Sequence, residues 1–138
     1  CKKYGGDPKQ FILCGFSRGA IACNYIGLQN DQIAKLWRAF IIYSHYDGIA
    51  PWPYPNSERT AALSRLKRLG LRRQFICHEI TDSNLNLAAT KNWLKSTLKA
   101  KQLTFAETGF RNHNDQWLLR PSVTRTKMRK WLKKEIQQ

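Results

Sequence analysis

Four short apolar runs, each followed by a stretch with helical spacing, recur along the 138 residues and restrict the fold more than any other feature. The runs cover residues 10–14, 39–44, 74–77 and 103–106, and the first, ending at Gly15, reads as a strand buried on both faces. The spacing predicts a helix over 18–28, with Ala20, Ile21, Tyr25 and Leu28 as its packed stripe. Asn30 or Asp31 is expected to cap a short helix carrying Ile33, Leu36 and Trp37. Ser57 is read as the cap of a helix with Ala62, Leu63, Leu66 and Leu69 inward, Arg65, Lys67 and Arg68 outward, and Gly70 as its stop. A helix over 87–98 carries Leu87, Lys91, Leu94 and Leu98. After Pro121 a last helix holds Val123, Met128, Trp131, Leu132 and Ile136 near helical spacing, with Lys127, Arg129, Lys130, Lys133 and Lys134 facing out. Alternation of this kind predicts an α/β fold: a mostly parallel sheet of about four strands, flanked by helices and joined by right-handed crossovers. Ligands on such sheets bind at the carboxyl ends of the strands.

Just beyond the first run stands Gly15-Phe16-Ser17-Arg18-Gly19. A G-x-S-x-G pattern arises by chance in a chain of this composition about 2% of the time. Its place between a buried strand and a helix sharpens it, because a strained strand-to-helix turn lifts a serine hydroxyl clear of the sheet. A side chain at Gly15 or Gly19 is expected to clash with neighbouring backbone. The backbone N–H of Arg18, at the helix start, is placed to stabilise an oxyanion.

A serine hydroxyl needs a base to take its proton. Of His45, His78 and His113, the last lies beyond the fourth strand and before the last helix, where the order Ser, acid, His puts the base. The acid that orients it must come from between them. Asp82 after the third strand is the preferred candidate, then Asp47 after the second, then Glu79.

With these residues in view the chain resembles the α/β-hydrolase superfamily. Within it, the chain is most similar to the esterase group of dienelactone hydrolases, polyhydroxybutyrate-depolymerase-like proteins and acetylxylan or feruloyl esterases. The resemblance rests on Tyr4-Gly5-Gly6-Asp7, Gly15 to Ala20, Tyr46-Asp47-Gly48, Phe75 to Glu79 with Asp82 beyond, and His113 before Trp131-Leu132. It implies Ser17, Asp82 and His113 as the catalytic residues, and members whose acid follows the preceding strand keep Asp47 in play. The family's Gly-x-x-Asp is altered here, since His78 stands where Gly is common and Asp82 is one residue late. The resemblance also implies a single domain over 1–138 whose first strands, with the loop giving a second oxyanion donor, lie upstream of Cys1. On that expectation the 138 residues alone are inactive or nearly so.

The balance of 24 Lys and Arg against 9 Asp and Glu leaves +15 and favours acidic partners. The basic residues are scattered rather than gathered in one tract, and no RNA-binding signature is present, so no specific nucleic-acid partner is expected. The four cysteines, at 1, 14, 23 and 77, lack metal spacing and read as buried free thiols. No apolar run approaches the roughly 18 residues of a membrane span. Trp52–Pro55 and Trp117 are candidates to line a cleft. The function expected is an ester hydrolase acting through an acyl-enzyme on Ser17, on small-molecule or polysaccharide esters, with no metal or organic cofactor implied. The alternatives are a serine peptidase of prolyl-oligopeptidase type and a non-catalytic basic protein binding nucleic acid or another anionic polymer.

Overall fold

The computed structural model describes residues 2–137. Four strands, β1 (Ile12–Phe16), β2 (Ala39–Tyr43), β3 (Arg73–His78) and β4 (Leu103–Glu107), lie side by side in that order, every pair parallel. The fold is α/β. Helices α1 (Arg18–Tyr25), α2 (Asp31–Ala34), α3 (Arg59–Leu66), α4 (Leu87–Lys95) and α5 (Val123–Ile136) complete it.

Side-chain alternation along each strand divides the core in two. Phe40 and Ile42 of β2 and Ile76 of β3 pack with Ala20 and Cys23 of α1, Ala62 and Leu66 of α3 and Trp93 and Leu94 of α4. The intervening Ile41, Tyr43, Phe75 and Cys77 pack with Ala106, Trp117 and Met128 of α5. One face therefore carries the crossover helices and the other carries α5.

The pairing register sets the level of the strand ends. Phe16 pairs with Tyr43, and Tyr43 with Cys77. The residues that follow, Ser17, Ser44 and His78–Glu79, emerge side by side at the carboxyl end of the sheet.

Several expectations are corrected. β1 runs on through Gly15 and Phe16, and it is only partly covered, with Cys14 exposed. Cys23 and Cys77 are buried free thiols, Cys14 is free but exposed, and Cys1 lies outside the described residues. The Asn30 side chain caps α2 by accepting from the N–H of Ile33. Ser57 does not cap α3; its hydroxyl closes the preceding loop, accepting from the N–H of Trp52 and donating to the Trp52 carbonyl. Arg65 faces inward, because a buried carboxylate meets it there. Gly70, at φ 62°, ends the α3 segment as expected. In α5, Met128 is buried, but Val123 and Ile136 are exposed, and the buried polar Glu135 pairs instead with Arg73 at 3.0 Å. Among the described residues no helix is long and apolar enough to cross a membrane.

Candidate active site

Ser17 occupies the residue between β1 and α1 at φ 56°, ψ −120°, a conformation L-residues rarely adopt. A serine in the N-cap position ordinarily accepts a hydrogen bond from the helix's first turn. Here the Ser17 side chain makes no cap bond, and its hydroxyl stands 2.9 Å from Nε2 of His113 instead. Tight backbone makes the turn possible. A Cβ at Gly15 would lie 2.1 Å from the carbonyl oxygen of Gly19 and 2.7 Å from Cys23 Sγ. Gly19 differs from expectation: a Cβ there meets nothing within 4 Å, because it projects from the first turn of α1 into open space. Gly15→Ala is therefore expected to lower stability by about 1–3 kcal/mol, while Gly19→Ala leaves the melting temperature unchanged or raised. Parallel thermal melts check this, and equal losses in the two variants would refute it.

His113 sits in the loop after β4 and is about half exposed. Its Nδ1 lies 2.7 Å from Oε1 of Glu79, whose side chain is 6% exposed. An ionised carboxylate only accepts hydrogen bonds, so Nδ1 carries the proton and Nε2 turns its lone pair to the Ser17 hydroxyl. Ser17, His113 and Glu79 thus form one chain of hydrogen bonds across residues far apart in sequence.

The carboxylate brought to His113 is that of Glu79, the third-ranked candidate, and not that of Asp82. Asp82 is exposed in the loop beyond β3 and has no bond to His113. Glu79 directly follows β3, and its extra methylene lets it reach the imidazole from the strand end without a loop to carry it. Asp47 is also not at the site. It is fully buried and bonded by Arg65 through Nε at 2.8 Å and Nη2 at 3.0 Å. Burial raises the Glu79 pKa, but hydrogen bonds from His113 and its own backbone, the charge at His78 and the Ser44 hydroxyl outweigh it and hold the carboxyl below its ordinary value of 4.5.

Two other histidines flank this chain. His78 is buried, and its Nδ1 donates to the Glu79 carbonyl at 2.9 Å, which steadies the Glu79 backbone. The His45 ring lies 5.4 Å from that of His113 and 5.4 Å from that of Trp52. Burial, then repulsion from His113 and His78, keeps His45 below its ordinary pKa. Trp52 therefore borders the site, whereas Trp117 does not: it is buried under α5 against Tyr43. Tyr54 joins Arg18, Ile21, Ala22 and Tyr25 around a small apolar cleft of about 190 Å³ beside α1. Arg18 opens α1, where first-turn N–H groups have no intrahelical partner and can meet a negative oxygen. Among the described residues no group of three or more His, Cys, Asp or Glu side chains has the geometry to hold a metal ion.

Sequence reasoning missed Ser44. It follows β2, is buried, and its hydroxyl donates to Oε1 of Glu79 at 3.0 Å. The signal available was positional: Ser44 is the polar residue closing the second apolar run, at the ligand-binding edge of a parallel sheet, although that run was read as strand through 44 and β2 ends at Tyr43. In comparisons with known proteins, no family model matches the chain and no curated protein matches it.

Proposed function

We propose that the protein is a serine ester hydrolase of the α/β-hydrolase kind, with Ser17 as nucleophile, His113 as base and Glu79 as the acid that orients it. The observation that carries this is the continuous hydrogen-bond path from Ser17 Oγ through His113 to Glu79, with Ser17 held in a strained turn at a helix start. Such strain recurs where a reactive group is pre-positioned.

In this reading Ser17 Oγ attacks the ester carbonyl while Nε2 of His113 takes its proton. Glu79 stabilises the imidazolium that forms. The backbone N–H of Arg18 donates to the tetrahedral oxyanion. His113 then protonates the departing alcohol, leaving an acyl group on Ser17. Water, deprotonated by the same imidazole, attacks that acyl group; the acyl–Oγ bond then breaks, the carboxylic acid leaves, and His113 returns the proton to Ser17 Oγ. His45 and Trp52 border the space beside His113 and are placed to contact the substrate.

The test is made on the full natural chain, with any sequence that flanks residues 1–138. Wild type and Ser17→Ala are treated with a fluorophosphonate, and the labelled residue is located by mass spectrometry. Labelling at Ser17, lost in the variant, is the expected result. A folded wild type that takes no label would sink the proposal.

A further inference from the structure

Resting on the reading of Ser17, His113 and Glu79 just given, we infer that Ser44 is a positioning residue whose hydroxyl locks the Glu79 carboxylate and the Nδ1 edge of His113 into one cluster. The parallel register places it there. Tyr43 pairs with Phe16 on one side and Cys77 on the other, so the next residue emerges between the nucleophile and the acid. The Ser44 N–H bonds to the Cys77 carbonyl at 2.9 Å, which fixes its backbone against β3.

The bonding is directional. The carboxylate accepts, so the Ser44 hydroxyl donates to Oε1 of Glu79 at 3.0 Å. The same oxygen, Oε1, takes the Nδ1–H of His113 at 2.7 Å. Ser44 Oγ itself lies 3.2 Å from that Nδ1, where its lone pair faces the imidazole N–H. Each of the three groups therefore touches the other two. The second carboxylate oxygen, Oε2, accepts no hydrogen bond among the described residues and lies 3.3 Å from Nδ1 of His78, so the two side-chain hydrogen bonds that hold Glu79 meet at Oε1. Without Ser44 the carboxylate keeps its bond to His113 and its contact with His78 but loses the second hydrogen bond at Oε1, which restrains it from swinging about the first.

The backbone separates this role from packing. Ser44 is a non-glycine residue at φ 84°, a conformation glycine adopts without strain. Ser44→Gly thus relieves strain while deleting the hydroxyl. Were Ser44 only a space-filling turn residue, glycine would serve there as well or better.

The experiment compares wild type, Ser44→Gly and Ser44→Ala in the full natural chain, with p-nitrophenyl acetate as substrate. Ser44→Gly is expected to melt no lower than wild type, yet both variants lose about tenfold or more in kcat with KM unchanged, in line with a lost hydrogen bond to a charged group. In parallel, the Glu79 carboxyl and His113 imidazole are titrated by NMR. The Glu79 midpoint is expected to rise in both variants, since the hydroxyl favours the ionised form. A Ser44→Gly protein with wild-type kcat, or with an unmoved Glu79 midpoint, overturns the inference. The titration needs no turnover, so it separates the two claims. A moved midpoint in a protein whose Ser17 takes no probe refutes the hydrolase reading and upholds the tether.

Discussion

Glu79→Gln is expected to lower kcat on an activated ester about 10⁴-fold, whereas Asp82→Asn changes it by no more than about twofold. The reason is the tautomer. Glu79 accepts the Nδ1–H of His113 at 2.7 Å, which leaves Nε2 free to accept from Ser17 at 2.9 Å. A glutamine amide can turn its NH2 to Nδ1, and the imidazole proton then moves to Nε2. A protonated Nε2 faces Ser17 as a donor and cannot take its proton. Shape is nearly conserved, so the loss falls on kcat rather than KM. Asp82 is exposed and touches neither His113 nor Ser17, so its charge has little to act on. The inverse ranking, with Asp82→Asn the crippled variant, would overturn the assignment of the acid. The pH dependence of stability gives a second readout. Glu79 is held below its ordinary value of 4.5, so it contributes stability that is complete above that value and is lost as pH falls through the folded-state value. Glu79→Gln should unfold with a flatter dependence across that acid window.

Short-range patterns in the chain were legible because their causes are short-range. Each strand falls within about two residues of its apolar run, since burial on a parallel sheet demands continuous apolar side chains. The strand-to-helix turn at Ser17 was legible because Gly15 and Ser17 act through backbone two to four residues away. The placing of His113 beside Ser17 was legible from chain order alone. The carboxylate beside His113 was not, because Glu79 is 34 residues from His113 and its partnership depends on sheet register and side-chain length. An aspartate in a loop resembles a triad acid more closely than a glutamate at a strand end. Ser44 escaped for the same reason: its partners, Glu79 and His113, lie 35 and 69 residues away. Arg65 was assigned outward because helical spacing places a charge opposite an apolar stripe. That rule holds only where no buried carboxylate waits on the inner side.

Arg65→Met is expected to destabilise the protein by about 3–5 kcal/mol, the range for removing one partner of a buried ion pair. Arg65 and Asp47 are 8% and 0% exposed, and two hydrogen bonds join them. The guanidinium also donates to the Asn56 carbonyl at 2.9 Å and lies over the Tyr25 ring at 4.5 Å. It therefore ties the loop after β2 to both α3 and α1. Asp47 in turn receives the Trp93 indole N–H on its backbone carbonyl, which joins α4 to the same loop. Removing Arg65 leaves a carboxylate without a counter-charge in a site that excludes water. Burial already holds the Asp47 carboxyl above its ordinary value of 3.8 despite the pull of Arg65. Without that pull its pKa rises further. The sign follows: a carboxyl whose folded pKa is raised is no burden below the unfolded value, and its penalty grows as pH climbs through the folded value. The gap between wild type and Arg65→Met, measured by urea unfolding, should thus be widest near neutral pH and shrink under acid. Arg65→Met with Asp47→Leu should recover much of the loss at neutral pH, because the uncompensated charge is gone. A gap that stays constant from neutral pH down to the acid range, with no recovery in the double variant, would show that Arg65 stabilises through its contacts with Asn56 and Tyr25 rather than through its charge.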